Sequence, residues 1–450
     1  MAFKQLFAEE SRTIGRTYAS VWFCDSHWVG AWFLLVTACF PKAALSGLAG
    51  LLLARLWGRL IGVAPAGGTH LVNGLLCGLF IGASHAPGAA LVALVAGASL
   101  LITLVTPWLA GLLWRSGKLP VMSLPFVLVI AMLLLALGPY GLGSEPMPPP
   151  PVDASGVLSP SVERFFIAVG WLLLMPYALA GALIFLGVLY ASRYLALLAV
   201  AGYLTGETTL ALLGHNSNSN VAFNHMLAAV ALGGIYTTPG LASFGMALAA
   251  SALSAWFGLV FTPVFTMFQL PQLTLPFVSA VYLAIGALAA RTTARAPWLT
   301  LDAPSAPEHA YERARLSESR GASAHSVPLA APFYGEWEVT QGFDGPHTHQ
   351  APWQHALDFQ ITEEGRDHRG DGASCADYYC FGAPVLAPAA GRVVLARDDL
   401  ADMVPGNVDI AHNWGNHLLI HMTGGVSSAD RKSTRLNSSH VSESRMPSSA

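Results

Sequence analysis

Charged side chains are scarce in this 450-residue chain, of which only 11% are Asp, Glu, Lys or Arg. Ordinary soluble domains carry about 25% charged residues. The shortage is greatest in residues 208–290, which contain none of the four charged types. A soluble protein cannot leave so long a segment without surface charge, so this part of the chain is predicted to face lipid. The composition therefore excludes a wholly soluble enzyme and a disordered protein.

Basic residues are also in short supply, because 23 Lys and Arg residues stand against 26 Asp and Glu residues. The net charge of −3 leaves no basic surface for a polyanion, so a nucleic-acid partner is not expected. What the chain has in abundance is hydrophobic residues, at 54%. At roughly 20 residues per crossing, the apolar block from about residue 19 to about residue 298 has room for about ten transmembrane helices. This predicts a polytopic α-helical protein that passes through the lipid bilayer of the inner cell membrane many times.

Changes in composition divide the chain into segments. Polar residues precede the apolar block, a proline-rich stretch interrupts it, and polar residues with many histidines follow it. The proline-rich stretch indicates a connector between two halves. The predicted segments are a polar N-terminal segment (1–18), a first membrane repeat (19–142), a connector (143–161), a second membrane repeat (162–298), a linker (299–332), a soluble domain (333–429) and a tail (430–450).

The two halves of the apolar block repeat one another. The sequence Leu-Pro-Val-Met-Ser-Leu-Pro-Phe at 119–126 recurs as Leu-Pro-Gln-Leu-Thr-Leu-Pro-Phe at 270–277, an offset of 151 (270 − 119). The same offset pairs Asn73 with Asn224 without a gap (224 − 73 = 151). We interpret this agreement as a gene duplication. If each half crosses the membrane an odd number of times, the fold is two inverted repeats with short pore helices and a solute pathway between them.

The duplicated motifs suit such a pathway. Two prolines five residues apart cannot lie in one regular helix without freeing backbone carbonyls. The hydroxyl between them, on Ser123 or Thr274, can bind a small polar solute, although both motifs could also be kinks that only serve packing. Asn73 and Asn224 are predicted to bond to the broken backbone, with direct solute contact as the alternative. Because the core of the second half lacks the charges that ion transporters usually keep, a neutral solute fits best.

These twin motifs, each preceded by an apolar segment with an asparagine, resemble those of the urea transporter family over residues 15–292. The resemblance implies a homotrimer whose protomers each conduct urea, or a similar small neutral amide, passively and without a cofactor. It also implies an aromatic-walled filter, for which Phe126 and Phe277 are the candidates. The hydroxyls of Ser123 and Thr274 would line its middle and replace the water that urea loses.

Two positions depart from the family's pattern. The family usually has a Gln on each of two short pore helices, ten residues before a glycine. Counting back ten residues from Gly30 and Gly181 gives Ser20 and Trp171 instead. These residues are the candidates for the outer and the inner solute site, and Trp171 could narrow one mouth or stack on a planar amide. Another small amide, ammonia or water is therefore an alternative solute.

Short β-forming runs separated by turn residues begin near Pro332 and predict a small all-β domain. Histidines are concentrated there, and histidine with carboxylate suits zinc. The order of His349, Asp358 and Gly415-Asn-His resembles the lysostaphin-like zinc endopeptidases, which cut peptidoglycan. The resemblance implies His349 and Asp358 as the first two zinc ligands, with His355 as an alternative. The runs predicted as strands are 337–343, 356–361, 382–388, 391–396 and 415–421.

The later His-x-His of that family, which supplies the third ligand and the general base, is missing. Residues from about 430 onward match a translated sequencing adapter, so we expect the domain to be truncated and inactive; a natural polar tail is the alternative. The second function hypothesis is a membrane-anchored zinc metalloendopeptidase acting on bacterial peptidoglycan. A third makes the domain a ligand-binding module that gates the pore. An anchor needs only one helix, so transport is the leading prediction.

Overall fold

The computed structural model describes most of the chain in two compact units, one built from the helices up to residue 319 and the other from the strands beyond residue 330. Each unit is considered by itself. The described residues are 2–63, 68–137, 158–215, 219–291, 296–300, 306–319, 330–346, 349, 356–388, 391–401, 404–405, 416–422 and 433–437.

The first half of the helical unit contains helices whose ends follow from local sequence. Pro41 occupies the first turn of one long helix, where its missing N–H costs nothing, and Gly62 ends that helix with a left-handed φ of 76°. The helices are α1 (Ala2–Ser20), α2 (His27–Ala38), α3 (Pro41–Ile61), α4 (Thr69–Ser84), α5 (Ala89–Gly117) and α6 (Leu124–Leu137).

The second half of the unit repeats this order of helices. The helices are α7 (Pro160–Trp171), α8 (Ala178–Ala191), α9 (Arg193–Leu212), α10 (Ser219–Ala229) with a π-helical continuation (Val230–Ile235), α11 (Leu241–Met267) and α12 (Leu275–Ala289). The starts of α8 and α12 lie 151 residues after those of α2 and α6 (178 − 27 and 275 − 124). The duplicated sequence therefore folds into duplicated helices. A further helix, α13 (Pro307–Ser319), follows within the segment predicted as a linker.

The apolar helices identify a helical membrane protein. Among the described residues, the helices long and apolar enough to cross a membrane are α3, α5, α9 and α11, and six shorter apolar helices accompany them. Large apolar side chains on the outside of the unit are exposed, including Leu241 at 94% and Leu179 at 74%. Such a surface requires an apolar solvent. The number of crossings stays a prediction.

Glycines let the first two helices of each half approach closely. A Cβ added to Gly30 would overlap the carbonyl oxygen of Gly15, and one added to Gly181 would overlap that of Phe166. The two contacts are 151 residues apart, since 181 − 30 and 166 − 15 give the same offset. Backbones can meet this closely only where one helix presents no side chain.

The second unit contains two small antiparallel sheets in its described part. β1 (Glu338–Gln341) pairs with β2 (Asp358–Gln360), and β3 (Gly391–Arg397), β4 (His417–Met422) and β5 (Ser433–Asn437) form the other sheet in that order. The predicted strand at 382–388 is wrong. Pro384 and Pro388 have no N–H to donate to a neighbouring strand. The segment instead bonds to residues near the start of the unit, where the Leu386 N–H donates to the Pro332 carbonyl at 2.7 Å.

Two predicted segments, the connector and the tail, lie mostly outside the described residues. The connector is described only from residue 158 onward, and the tail only at β5, whose residues pair with β4. The segment boundaries therefore stay predictions.

Replacing Gly30 or Gly181 by Ala is expected to destabilise the helical unit, because the new methyl group forces two backbones apart. Overpacking of this kind costs about 1–3 kcal/mol. The melting temperature in detergent, followed by tryptophan fluorescence, measures the effect. Gly245→Ala is the matched control, since a Cβ there meets no atom within 4 Å. Equal melting temperatures for all three variants would contradict the close approach.

Candidate solute pathway

The twin proline motifs break the helices on which they lie. Residues 118–123 between α5 and α6 are not helical, and Met122 has a left-handed φ of 46°. The second half has the same break before α12, where Leu273 has a φ of 50°. The prolines thus act as predicted, and each break leaves backbone groups that need partners inside the protein.

A fully buried asparagine amide holds each break. Asn73 on α4 donates through Nδ2 to the Met122 carbonyl at 3.0 Å, and its Oδ1 accepts from the Phe126 N–H at 3.0 Å. This one side chain therefore bonds both to the non-helical segment and to the first turn of the helix that follows it.

The second repeat reproduces these bonds atom for atom. Asn224 donates to the Leu273 carbonyl at 3.0 Å and accepts from the Phe277 N–H at 3.2 Å. Both asparagine side chains are fully buried, with 0% exposure. The predicted backbone contacts of the two asparagines are found, while a role in a pathway stays a prediction.

The motif hydroxyls meet between the two halves. Ser123 Oγ donates to Thr274 Oγ1 at 2.8 Å, and these residues occupy equivalent positions of the repeat. A second equivalent pair also meets, because Trp32 Nε1 donates to the Leu183 carbonyl at 2.8 Å. Equivalent positions that touch must lie on the pseudo-symmetry axis that relates the halves. The structure therefore brings Ser123 and Thr274 together at the interface of the repeats.

A buried aromatic residue follows each motif hydroxyl by three positions. Phe126 and Phe277 are 3% and 2% exposed and stand in the first turns of α6 and α12. Phe80 meets the edge of Phe126 at a centroid distance of 6.4 Å, and Phe23 meets Phe277 at the same distance. Phe23 also meets Tyr236 at 6.3 Å.

Three of these aromatic residues, Phe23, Phe80 and Tyr236, were not among the predicted site residues. One available signal was the closeness of Phe23 to the candidate residue Ser20, which precedes it by three positions. Its contacts join different elements of the chain, and the sequence pattern does not encode such contacts.

The candidates for the outer and inner solute sites, Ser20 and Trp171, are the last residues of α1 and α7. Ser20 is exposed, and its hydroxyl donates to the Arg16 carbonyl at 2.8 Å. Trp171 is half-buried, and its Nε1 has no hydrogen-bond partner within the described part of the chain. In that same part, neither residue has a hydrogen bond or ring contact to the twin motifs. Their role in a pathway stays a prediction.

Comparison with known families gives one match to the helical unit. Residues 11–289, more than half of the chain, match the family described as urea transporter. The chain belongs to the urea transporter family. This membership supports transport of urea in general and confirms the family indicated by the twin motifs. A comparison with curated proteins gives no match. No family match supports the lysostaphin-like resemblance of the second unit of this urea transporter.

The two predicted zinc ligands of the second unit do come together. His349 Nε2 lies 3.3 Å from Asp358 Oδ1, and both residues are buried, at 4% and 8% exposure. His349 Nδ1 pairs with the Gly342 carbonyl at 2.9 Å, and Gln341 Nε2 donates to the other Asp358 oxygen at 3.1 Å. His355 lies outside the described residues. No group of three or more candidate ligands occurs among the residues described, so the predicted zinc site has no support from a complete ligand set.

Replacing Asn73 or Asn224 by Ala is expected to destabilise the transporter and abolish its urea flux. Each change leaves a buried carbonyl and a buried N–H without partners, at about 1–3 kcal/mol for each group. The melting temperature in detergent and the urea flux of proteoliposomes measure the two effects. Ser116→Ala is the control, because that exposed hydroxyl bonds only to its own helix. Wild-type flux and stability in either Asn variant would contradict the bracing role.

Proposed function

We propose that this urea transporter conducts urea, or a similar small neutral amide, passively through a pore between two inverted repeats. The observation that carries this proposal is the hydrogen bond between Ser123 and Thr274. It joins two equivalent, polar, proline-flanked positions from the two halves of an apolar unit, and the buried rings of Phe126 and Phe277 follow these positions by three residues.

The contacts between α2 and α8 support inversion of the repeats. Phe33 of α2 packs near Gly187 of α8, and Phe40, two residues after α2, stacks on Tyr177, the residue before α8, at a centroid distance of 4.8 Å. The end of α2 therefore lies beside the start of α8, which is the arrangement of antiparallel helices. A two-fold axis along the membrane normal would leave equivalent helices parallel. An axis in the membrane plane makes them antiparallel, as inverted repeats require. Ten crossings, five in each half, then follow as part of the proposal.

The chemistry of the interface favours a neutral solute. Hydroxyls and freed carbonyls can replace the hydrogen bonds that urea exchanges with water. An ion would need compensating charge there, and α10, α11 and α12 contain no Asp, Glu, Lys or Arg. The rings of Phe126 and Phe277 offer apolar faces to a planar amide and no partner to a hydrated ion. Transport by this route needs no cofactor.

The same proposal includes assembly and location. The exposed apolar side chains of the helical unit suit both lipid and protein neighbours. We therefore assign the transporter to the inner cell membrane as a homotrimer, with a separate pore in each protomer. Ser20 and Trp171 are assigned to the two mouths of each pore.

Replacing Thr274 by Val is expected to lower the urea flux about tenfold, because one lost hydrogen bond in the filter is worth about 1.4 kcal/mol. Stopped-flow light scattering of liposomes that contain the full chain measures the flux under an inward urea gradient. Ser123→Ala is expected to have a similar effect.

The matched control for this test is Thr208→Val, whose exposed hydroxyl bonds only to the Leu204 carbonyl of its own helix at 2.7 Å. Wild-type liposomes that swell no faster than empty ones would reject urea conduction. Undiminished flux in Thr274→Val would reject the filter position.

The geometry of His349 and Asp358 favours a second proposal for the other unit. Two donor atoms about 2.0–2.1 Å from a tetrahedral zinc ion lie roughly 3.3 Å apart. The observed separation of Nε2 and Oδ1 is 3.3 Å, and the Gly342 carbonyl fixes the ring of His349. We propose that this pair binds zinc, with His355 as an alternative ligand. Membrane-anchored zinc endopeptidase action on peptidoglycan is the corresponding alternative function.

Replacing Asp358 by Asn is expected to weaken zinc binding by the full chain at least tenfold, because changes at a ligand or at its hydrogen-bond partner cost about 10–100-fold in affinity. Isothermal titration of the apo protein with zinc alone measures the affinity. Asp371→Asn, at an exposed position, is the control. Equal affinities for wild type and Asp358→Asn would reject the pair as ligands.

A further inference from the structure

A segment outside the family match packs onto the helical unit. The match ends at residue 289, yet residues 296–300 and α13 belong to the same compact unit as the transporter helices. We call residues 296–300 together with α13 the latch. Because the latch is not part of the matched family sequence, its contacts are a property of this chain.

The extended part of the latch pairs with the end of the π-helical segment. The Thr238 N–H donates to the Trp298 carbonyl at 2.9 Å, and the Thr300 N–H donates to the Tyr236 carbonyl at 2.9 Å. The Thr300 hydroxyl also donates to the Ile235 carbonyl at 2.7 Å. These bonds satisfy carbonyls that the last helical turn leaves open. They fix the backbone of Tyr236 from one side.

The helical part of the latch is fixed at the start of α9. Ser192 Oγ donates to Glu308 Oε1 at 2.5 Å while it also accepts from the Leu195 N–H as the helix cap. Leu195 packs against Gly234, two residues before Tyr236, since a Cβ added to Gly234 would lie 2.5 Å from the Leu195 side chain. Ala310 is 6% exposed. The latch therefore has two anchors, one at Tyr236 and one at Ser192.

Both anchors lead to the same ring. Tyr236 meets the edge of Phe23 at 6.3 Å, and Phe23 meets Phe277, which follows the filter residue Thr274 by three positions. Phe23 has a left-handed φ of 57°, so the backbone there has little freedom to adjust. The position of Tyr236 therefore limits the space beside Phe23.

We propose that the latch sets the width of the pathway beside Phe23 by holding Tyr236 in place, and so determines which amides pass by size. This inference rests on the proposed pore. Thr300 and Glu308 act as positioning residues, since they hold Tyr236 and α9 without reaching the solute. When either anchor is lost, Tyr236 is free to move away from Phe23, and a bulkier amide is admitted.

The test compares fluxes of urea and 1,3-dimethylurea through liposomes that contain the full chain. Thr300→Val removes the hydroxyl bond to the Ile235 carbonyl and so weakens the first anchor, and Glu308→Ala removes the acceptor of the Ser192 hydroxyl. Each variant is expected to raise the dimethylurea-to-urea flux ratio at least threefold. Thr300→Ser and Glu308→Gln keep a hydroxyl and an acceptor and are expected to retain the wild-type ratio. Glu312→Ala, an exposed residue of the same helix, is the matched control.

The outcomes separate the latch from the pore. The latch is supported if the flux ratio rises in Thr300→Val and Glu308→Ala but stays at the wild-type value in Thr300→Ser and Glu308→Gln. The latch proposal is overturned if the flux ratio is unchanged or lowered in both Thr300→Val and Glu308→Ala. This holds even if the urea and dimethylurea fluxes rise or fall in proportion. If the wild-type chain conducts both solutes and Thr274→Val lowers the urea flux, the proposed pore is supported independently of the results for the latch variants. Wild-type liposomes without urea flux overturn the pore and the latch with it.

Discussion

The bonds of two buried asparagine amides are the constraint on which the helical unit depends. Asn73 and Asn224 each replace the backbone partners that a proline motif removes, and without them a broken helix could not exist in an apolar interior. Because the breaks are held open, Ser123 and Thr274 leave the helical path and meet one another. The polar centre of an otherwise apolar unit thus follows from two side chains.

The two repeats agree closely where they meet. The hydroxyls, the asparagine bonds and the left-handed residues of the breaks recur at an offset of 151, as in 273 − 122. The ends have diverged, since Ser20 corresponds to Trp171 and Phe23 to Leu174 (174 − 23 = 151). Under the proposed two-fold axis, Ser123 and Thr274 must fit one another, so neither can change alone.

The sequence could predict features whose cause is local. Proline chemistry predicted both helix breaks, and the offset of 151 predicted the paired helices. The asparagine contacts followed from the need to satisfy broken backbone. The contacts of Phe23 with Tyr236 and Phe277 could not be predicted, because they join elements far apart in sequence. The strand expected at 382–388 failed because apolar alternation was given more weight than two prolines. The helix within the predicted linker was missed because short polar helices carry little periodic signal.

The most direct test of the central claim is an experimental structure of the full chain with selenourea, whose selenium atom locates the solute by anomalous scattering. A pore between inverted repeats predicts selenium between the rings of Phe126 and Phe277, with the amide within hydrogen-bond distance of Ser123 or Thr274. Selenium found only elsewhere in the helical unit, with the Ser123–Thr274 bond intact and enclosed, would contradict it.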